Sequence, residues 1–423
     1  MRSSQHQLIA GLLFAAVASV SAAGAAAKDA GTRRHWVASW GTANMIPEGQ
    51  NELPAEQWRD ATLRQVVRVS LGGSQVRVRV SNAFGTAPLA LEGASLARAA
   101  GPGKADIDPA SVKPLTFSGR AAVMIPAGAE YYSDPVALEH KAGADLAVSM
   151  YFKGEPGRQT GHPGSRATSF VVKGNRLMDA GWTDPAKVQR WYALADIEVQ
   201  APRGVGAVVA IGDSITDGYG ATTDGNDRWT DMLAARLAKE GKLEMGVVNA
   251  GIGGGRMLRD GLGPNMVARF ERDVLSRGGV THAIVLIGVN DVGGQHRNGA
   301  DTPETRKKMI DDLLTAHRQL VERAHAKGVC VIGGTMTPYM GSGYYKPDAD
   351  NEADRQAINH WIRNAGVFDA VADFDAAVRD PARPERMLPE RDTGDGLHPS
   401  LAGFRAMAEA VPLAALRQCA VAK

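Results

Sequence analysis

The chain has 423 residues, 44% hydrophobic and 22% charged, the composition of a globular protein with sizeable cores and enough length for two domains. Its 48 basic and 46 acidic residues leave a formal net charge of +2 with no long run of one sign, so no electrostatic reason exists to expect nucleic acid. Two cysteines, Cys330 and Cys419, exclude a disulfide-dense scaffold and a multi-cysteine zinc site.

The N-terminus reads as a targeting signal. Arg2 precedes the apolar run Leu8–Val20, which falls short of the roughly 20 residues that span a bilayer, and small residues follow at Ser21–Ala27. Residues 1–27 are therefore expected to be a signal peptide, cut after Ala23 or Ala27. The mature chain is expected to be secreted or periplasmic, with no transmembrane span.

From about His35 to Gln200 the pattern is β. Val67, Val69 and Leu71 alternate with polar residues, Gly72-Gly73 follow, and Val76, Val78 and Val80 alternate with Arg77 and Arg79. Two period-two runs around Gly-Gly predict a hairpin with one buried and one wet face. Further short runs at Leu89–Leu96, Val123–Ile125, Leu146–Phe152, Phe170–Val172 and Trp191–Val199, separated by Gly/Pro/Ser stretches, predict an all-β sandwich or jelly-roll-like domain over 35–200.

After Pro202 apolar runs (Ala207–Ile211, Met245–Ile252, Ala283–Ile287, Val329–Ile332) alternate with helical periodicity. Trp229, Met232, Leu233 and Leu237 share one helix face, with Gly241 placed to end it; a longer helix covers about Pro303–Lys327, and a last one follows Pro399-Ser400. Strands alternating with helices predict a parallel sheet covered on both faces over 201–423.

In such open α/β sheets, ligands bind beyond the carboxyl ends of the strands. There the sequence places Gly212-Asp213-Ser214, then Asn249-Ala250-Gly251-Ile252-Gly253-Gly254-Gly255, then Gly288-Val289-Asn290-Asp291; Asp395-Gly396-Leu397-His398 precedes the final helix. A serine hydroxyl is a weak nucleophile until a base takes its proton, and His398 is suited to that task. Asp395 can reach back within one turn to hold the imidazole. Asn290 offers a side-chain amide, and Gly254 and Ser214 offer backbone N–H groups, to an oxyanion.

These four segments resemble the conserved blocks of the SGNH (GDSL) hydrolases, in that family's order, from about Ala207 to the C-terminus. The resemblance implies a flavodoxin-like three-layer α/β fold and a serine esterase whose serine, glycine, asparagine and histidine are Ser214, Gly254, Asn290 and His398, with Asp395 as the triad acid. Gly254 is chosen over Gly253 and Gly255 by its place five residues after Asn249. The family implies an acyl-enzyme and no cofactor. An ester of a carbohydrate, O-acetyl or short-acyl, is the expected substrate. A lipase, lysophospholipase or arylesterase is the enzymatic alternative, and a carbohydrate-binding or adhesion module the non-enzymatic one.

The glycine cluster at 251–255 lacks the last glycine of a dinucleotide loop, since position 256 is Arg256, and no His-Glu-x-x-His or Walker sequence occurs. No metal is expected. Asp213, Asp217, Asp224 and Asp227 read as solvated loop carboxylates, although Asp213 and Asp291 flank catalytic positions where they can hold turns. His317 and His325 fall on a helix, as surface or packing residues. Tyr339, Tyr344, Tyr345 and Trp361 lie in or after the loop following the fourth parallel strand, either as a substrate wall or as packing. Whether Cys330 and Cys419 pair is open, because their Cα separation cannot be read from sequence.

Overall fold

The computed structural model describes residues 34–240, 243–299 and 301–419. The leader at 1–27, with Ala23 and Ala27, and the helix stop at Gly241 lie outside the described residues.

Between Arg34 and Pro202 the chain builds two antiparallel sheets. One runs Arg34–Gly41, Leu194–Pro202, Gly73–Ser81, with Glu130–Tyr132 and Val136–His140 both pairing with Gly73–Ser81. The other runs Ala186–Val188, Ser169–Lys173, Ala61–Arg68, Asp145–Phe152, Gly93–Arg98 and Lys113–Leu115. Val76, Val78 and Val80 from the first sheet and Leu63, Val67, Leu96 and Val148 from the second are buried in one core.

The hairpin expected around Gly72-Gly73 does not form. Both alternating runs contain strands, but Ala61–Arg68 belongs to one sheet and Gly73–Ser81 to the other. Residues 69–72 carry the chain across, with Leu71 held on both its N–H and its C=O by the Ser39 hydroxyl. Gly72 serves close approach: a Cβ there would lie 2.9 Å from the backbone of His140 and Ala142. Nor does Ala61–Arg68 have a wet face. Arg64 is fully buried and donates to Ser149 and to the carbonyls of Ala105 and Asp179, under a small apolar cluster around Val66, Ile107 and Phe170. Alternation reports a pleated strand but does not name its partner or what covers its second face.

Only Arg203–Val205 separate the antiparallel region from the parallel sheet. That sheet contains β1 (Gly206–Gly212), β2 (Met245–Gly251), β3 (Val280–Leu286), β4 (Cys330–Gly334) and β5 (Ala370–Ala372), in the order 2-1-3-4-5. This is a doubly wound order with its switch point beside β1. Val208 and Ala210 pack on one face with Trp229, Leu233 and Phe404; Ala207, Val209 and Ile211 pack on the other with Phe270, Leu313 and Leu320. The helices are Trp229–Glu240, Pro303–His325, Ala349–Asn364 and Leu401–Ala410, with shorter turns between. The third of these and β5 carry no strong apolar period in the sequence; the Asp348/Asn351 capping box is the local signal that starts the helix.

The core on the second face continues into the antiparallel sheets without a break. Ala38 donates its N–H to Gly278 at 2.8 Å, and the Ser70 hydroxyl accepts the Val247 N–H at 2.8 Å, covering the edge strand β2. Cys330 and Cys419 form a disulfide, Cα to Cα 5.5 Å, joining the start of β4 to the end of the chain. His317 is buried against Trp361 and Phe368, and burial lowers its pKa to about 4.

Candidate active site

Ser214 opens a single helical turn, Ser214–Asp217, directly after β1. Asp213 caps that turn by accepting the Ile215 N–H at 3.0 Å, and Gly218 closes it in the left-handed region at φ 100°. The turn lifts the Ser214 side chain above the sheet's carboxyl edge. There its hydroxyl lies 2.9 Å from His398 Nε2.

His398 comes from the loop before the last long helix. Asp395 organises that loop through one oxygen, which accepts the backbone N–H groups of Leu397 and His398 at 2.9 and 2.8 Å. Its other oxygen accepts His398 Nδ1–H at 2.6 Å. The donor role of Nδ1 leaves Nε2 as the acceptor facing Ser214. Gly396 between them stands at φ 69°, and a Cβ would meet the Gly341 backbone at 2.1 Å, so no other residue fits.

Burial lowers the His398 pKa below the ordinary imidazole range; the Asp395 carboxylate opposes this and the Arg166 charge reinforces it. Burial raises the Asp395 pKa, but hydrogen bonds from the His398 ring and from the His398 and Leu397 amides outweigh it and hold Asp395 below the ordinary carboxylate range.

The loop after β2 supplies the glycines. Gly253 N–H is taken by the Asp217 carboxylate at 3.2 Å and Gly255 N–H by the Ile252 carbonyl at 2.9 Å. The Gly254 amide makes no hydrogen bond among the described residues, and its φ of 68° turns the loop. Asn290, buried at the start of the helix Val289–Arg297, donates from Nδ2 to the Gly255 carbonyl at 2.8 Å and accepts from the Tyr345 hydroxyl at 2.5 Å. Burial raises the Tyr345 pKa well above the ordinary phenol value, so its hydroxyl remains a donor, fixes the amide's orientation and leaves one Nδ2 hydrogen free. Ser214, Gly254, Asn290, Asp395 and His398 thus meet at one sheet edge.

The aromatic loop divides. Tyr345 supports Asn290, Tyr339 is fully buried, Tyr344 is exposed on the rim, and Trp361 packs away from the site. Asp213 and Asp217 are not solvated loop carboxylates: both are buried. Burial, with the charge of Asp291 adding to it, pushes the Asp213 pKa up to about 7. Asp291 accepts the N–H groups of Met257 and Leu258 and so fixes the stem of the glycine loop. Asp217 accepts from Gly253 on one side and pairs with His162 Nε2 at 2.8 Å on the other. Asp224 holds Thr168 by its N–H and hydroxyl, and Asp227 accepts the Thr222 N–H.

His162 belongs to the antiparallel region, as does Arg166, whose guanidinium lies 5.4 Å from the Tyr219 ring. That ring lies 4.0 Å from the His398 ring. Sequence reasoning missed all three residues. His162 and Arg166 lie about fifty residues upstream of the serine, with no motif around them, and only Tyr219, two residues past Asp217, was within reach of a local reading.

The strand order, the switch-point location and the serine–histidine–carboxylate relay define a hydrolase-type centre on a doubly wound sheet. Residues 210–406 match the GDSL-like lipase/acylhydrolase family. That stretch, just under half of the chain, is thus similar to the SGNH hydrolases, and the match supports a carboxylic ester hydrolase. No curated protein sequence matches the chain significantly. Among solved structures it is similar to a GDSL-like lipase from Bacteroides thetaiotaomicron, at 19% identity over 50% of this chain and 87% of that one, TM-score 0.36. It is also similar to an acetyl xylan esterase from Geobacillus stearothermophilus, at 23% identity over 48% of this chain and 91% of that one, TM-score 0.35. A third is an α/β hydrolase from the metagenome of Lake Arreo, Spain, at 23% identity over 50% and 94%, TM-score 0.36.

Proposed function

We propose that Ser214 is the nucleophile, His398 the general base and then acid, and Asp395 the group that orients the imidazole. The relay from Ser214 Oγ to His398 Nε2 at 2.9 Å and from Nδ1 to Asp395 at 2.6 Å carries this reading. The hydroxyl adds to the ester carbonyl as its proton passes to Nε2. The tetrahedral oxyanion is received by the amides of Ser214 and Gly254 and the free Nδ2 hydrogen of Asn290. The protonated imidazole then gives its proton to the departing alkoxide, and water repeats the sequence on the acyl-enzyme.

The substrate in this reading is an O-acetyl or short-acyl ester of a carbohydrate, hydrolysed outside the cytoplasm by an exported chain whose antiparallel sheets form a sandwich. A longer acyl chain is the second reading, favoured by Leu262, 73% exposed beside Gly254. Aryl esters of rising acyl length separate the two. Ser214→Ala is expected to abolish turnover, and Asn290→Ala to lower kcat by about 10²–10³-fold with KM little changed. Near-normal kcat in Ser214→Ala removes the assignment.

A further inference from the structure

Four arginines lie against the segments that carry His398 and Asn290, and among the described residues none is ion-paired. Arg166 flanks the histidine side through Tyr219, with only its Nε engaged, on the Gly218 carbonyl at 3.3 Å. Arg256 and Arg259 approach Gly294, on the helix that carries Asn290. Arg297, at the end of that helix, lies 4.1 Å from the Tyr344 ring, which packs on Tyr345. Arg259 and Arg297 are exposed, while Arg166 and Arg256 are half-buried.

Elsewhere this chain places carboxylates against its arginines, as in Arg277–Asp196, Arg306–Asp354 and Arg355–Asp375. Near these segments most acids take other donors, and only buried Asp291 feels the charges of Arg256 and Arg259. Asp395 takes His398, Asp392 takes the Gly394 and Gly396 amides, Asp224 takes Thr168, and Asp260 takes Asn265. With a net charge of only +2, four guanidinium groups without an ion pair against these two segments are not explained by overall basicity. Arg166 also sits at φ 46°, a backbone state that costs energy for any residue but glycine.

We infer that the natural ester carries repeated negative charge: it is an acyl ester of a carboxylate-bearing polysaccharide. This rests on the esterase reading above. The histidine must protonate the departing alkoxide, so the alcohol half lies on the His398 side, where Arg166 is. The other three guanidinium groups lie against the helix that carries Asn290 or at its end. Cations on both flanks suit a chain with charge on successive sugars better than a single anion. Guanidinium is planar, always charged and able to grip carboxylate by two parallel bonds.

The test compares acetate release by the full-length mature enzyme from acetylated polygalacturonate and from neutral acetylated xylan, at 20 and 300 mM NaCl. KM on the polyuronate is expected to rise about 5–10-fold with salt, and on xylan less than about 2-fold, because screening weakens only the charged encounter. Arg166→Gln and Arg297→Gln should each lower the ratio of kcat/KM for polyuronate over xylan by about 5-fold or more. Equal salt dependence on the two polymers, xylan as the better substrate at low salt, or preference for anionic phospholipid vesicles over both polymers overturns the inference. Hydrolysis of 4-nitrophenyl acetate, lost in Ser214→Ala, is followed in parallel. If it is absent from the wild-type enzyme, the esterase reading fails, not the charge preference.

Discussion

His398 works against two opposed influences, burial and the neighbouring Arg166 on one side and the Asp395 carboxylate on the other. Burial prevails, and the consequence for rate has a definite sign. Only neutral imidazole can accept the serine proton, so activity is lost as pH falls through the His398 pKa. A pKa depressed from the ordinary value moves that loss to more acid solution. For a neutral aryl ester, the acid limb of kcat/KM should therefore have its midpoint below about 6.5. Arg166→Gln removes a positive neighbour and should move the midpoint upward. A wild-type midpoint at or above about 6.5, or a downward shift in the variant, contradicts this account. At this scale the sequence was most legible. Glycine, serine, asparagine and histidine stood at strand ends, where the doubly wound sheet collects them. Asp213 and Asp217 were misread because nothing local distinguishes a loop aspartate in water from one whose partners arrive from distant chain.

The loop residues 161–168 link two elements that the sequence treats as unrelated. His162 Nδ1 faces the Ala43 carbonyl at 2.7 Å and Nε2 faces Asp217 at 2.8 Å, so both ring nitrogens meet acceptors. Asp217 passes the constraint to the Gly253 N–H, one residue before the unengaged Gly254 amide. Gly164 is required beside it, since a Cβ would lie 2.0 Å from the Asp217 carboxylate. His162→Gln can satisfy at most part of this arrangement. It should lower kcat on an aryl ester by about 10-fold with KM changed less than about 2-fold, because a displaced oxyanion donor is felt in the transition state. Asp217→Asn should do the same, and the double variant should fall well short of the product of the two losses. A variant with reduced Tm but normal kcat would assign His162 to packing alone. The periodic strands and the long helices were readable, whereas partners were not: period-two alternation around Gly72-Gly73 fits a hairpin and a crossover between sheets equally well.

At the scale of the whole molecule, the short join at Arg203–Val205 called for a fixed interface, and the packing explains why that interface resists separation. Backbone meets backbone there. A Cβ on Gly246 would lie 2.0 Å from the Ala38 carbonyl, and one on Gly279, at φ 64°, would lie 2.9 Å from Val37. Arg277, almost fully buried, donates to the carbonyls of Thr42 and Ala195 and to Asp196, all from the antiparallel region. Arg228 bonds the Ser165 carbonyl in the same way, and Arg272 that of Asn44. Cutting the chain at residue 201 would take these acceptors away, leaving buried Arg277 only its Nε bond to the Asp273 carbonyl among those described, and would expose Val248, Ala250 and Ile252, which now share a core with Val37 and Ala38. Loss of a buried partner of this kind costs about 3–5 kcal/mol, a large share of the stability of an ordinary domain. Residues 201–423 expressed alone should be insoluble, or soluble with a much lower Tm and little activity on 4-nitrophenyl acetate. Gly246→Ala in the full chain should lower Tm by several degrees without touching the serine. If the fragment is as stable and as active as the parent, the antiparallel region is a detachable attachment device, and polysaccharide pull-down with residues 35–200 would then measure what it holds.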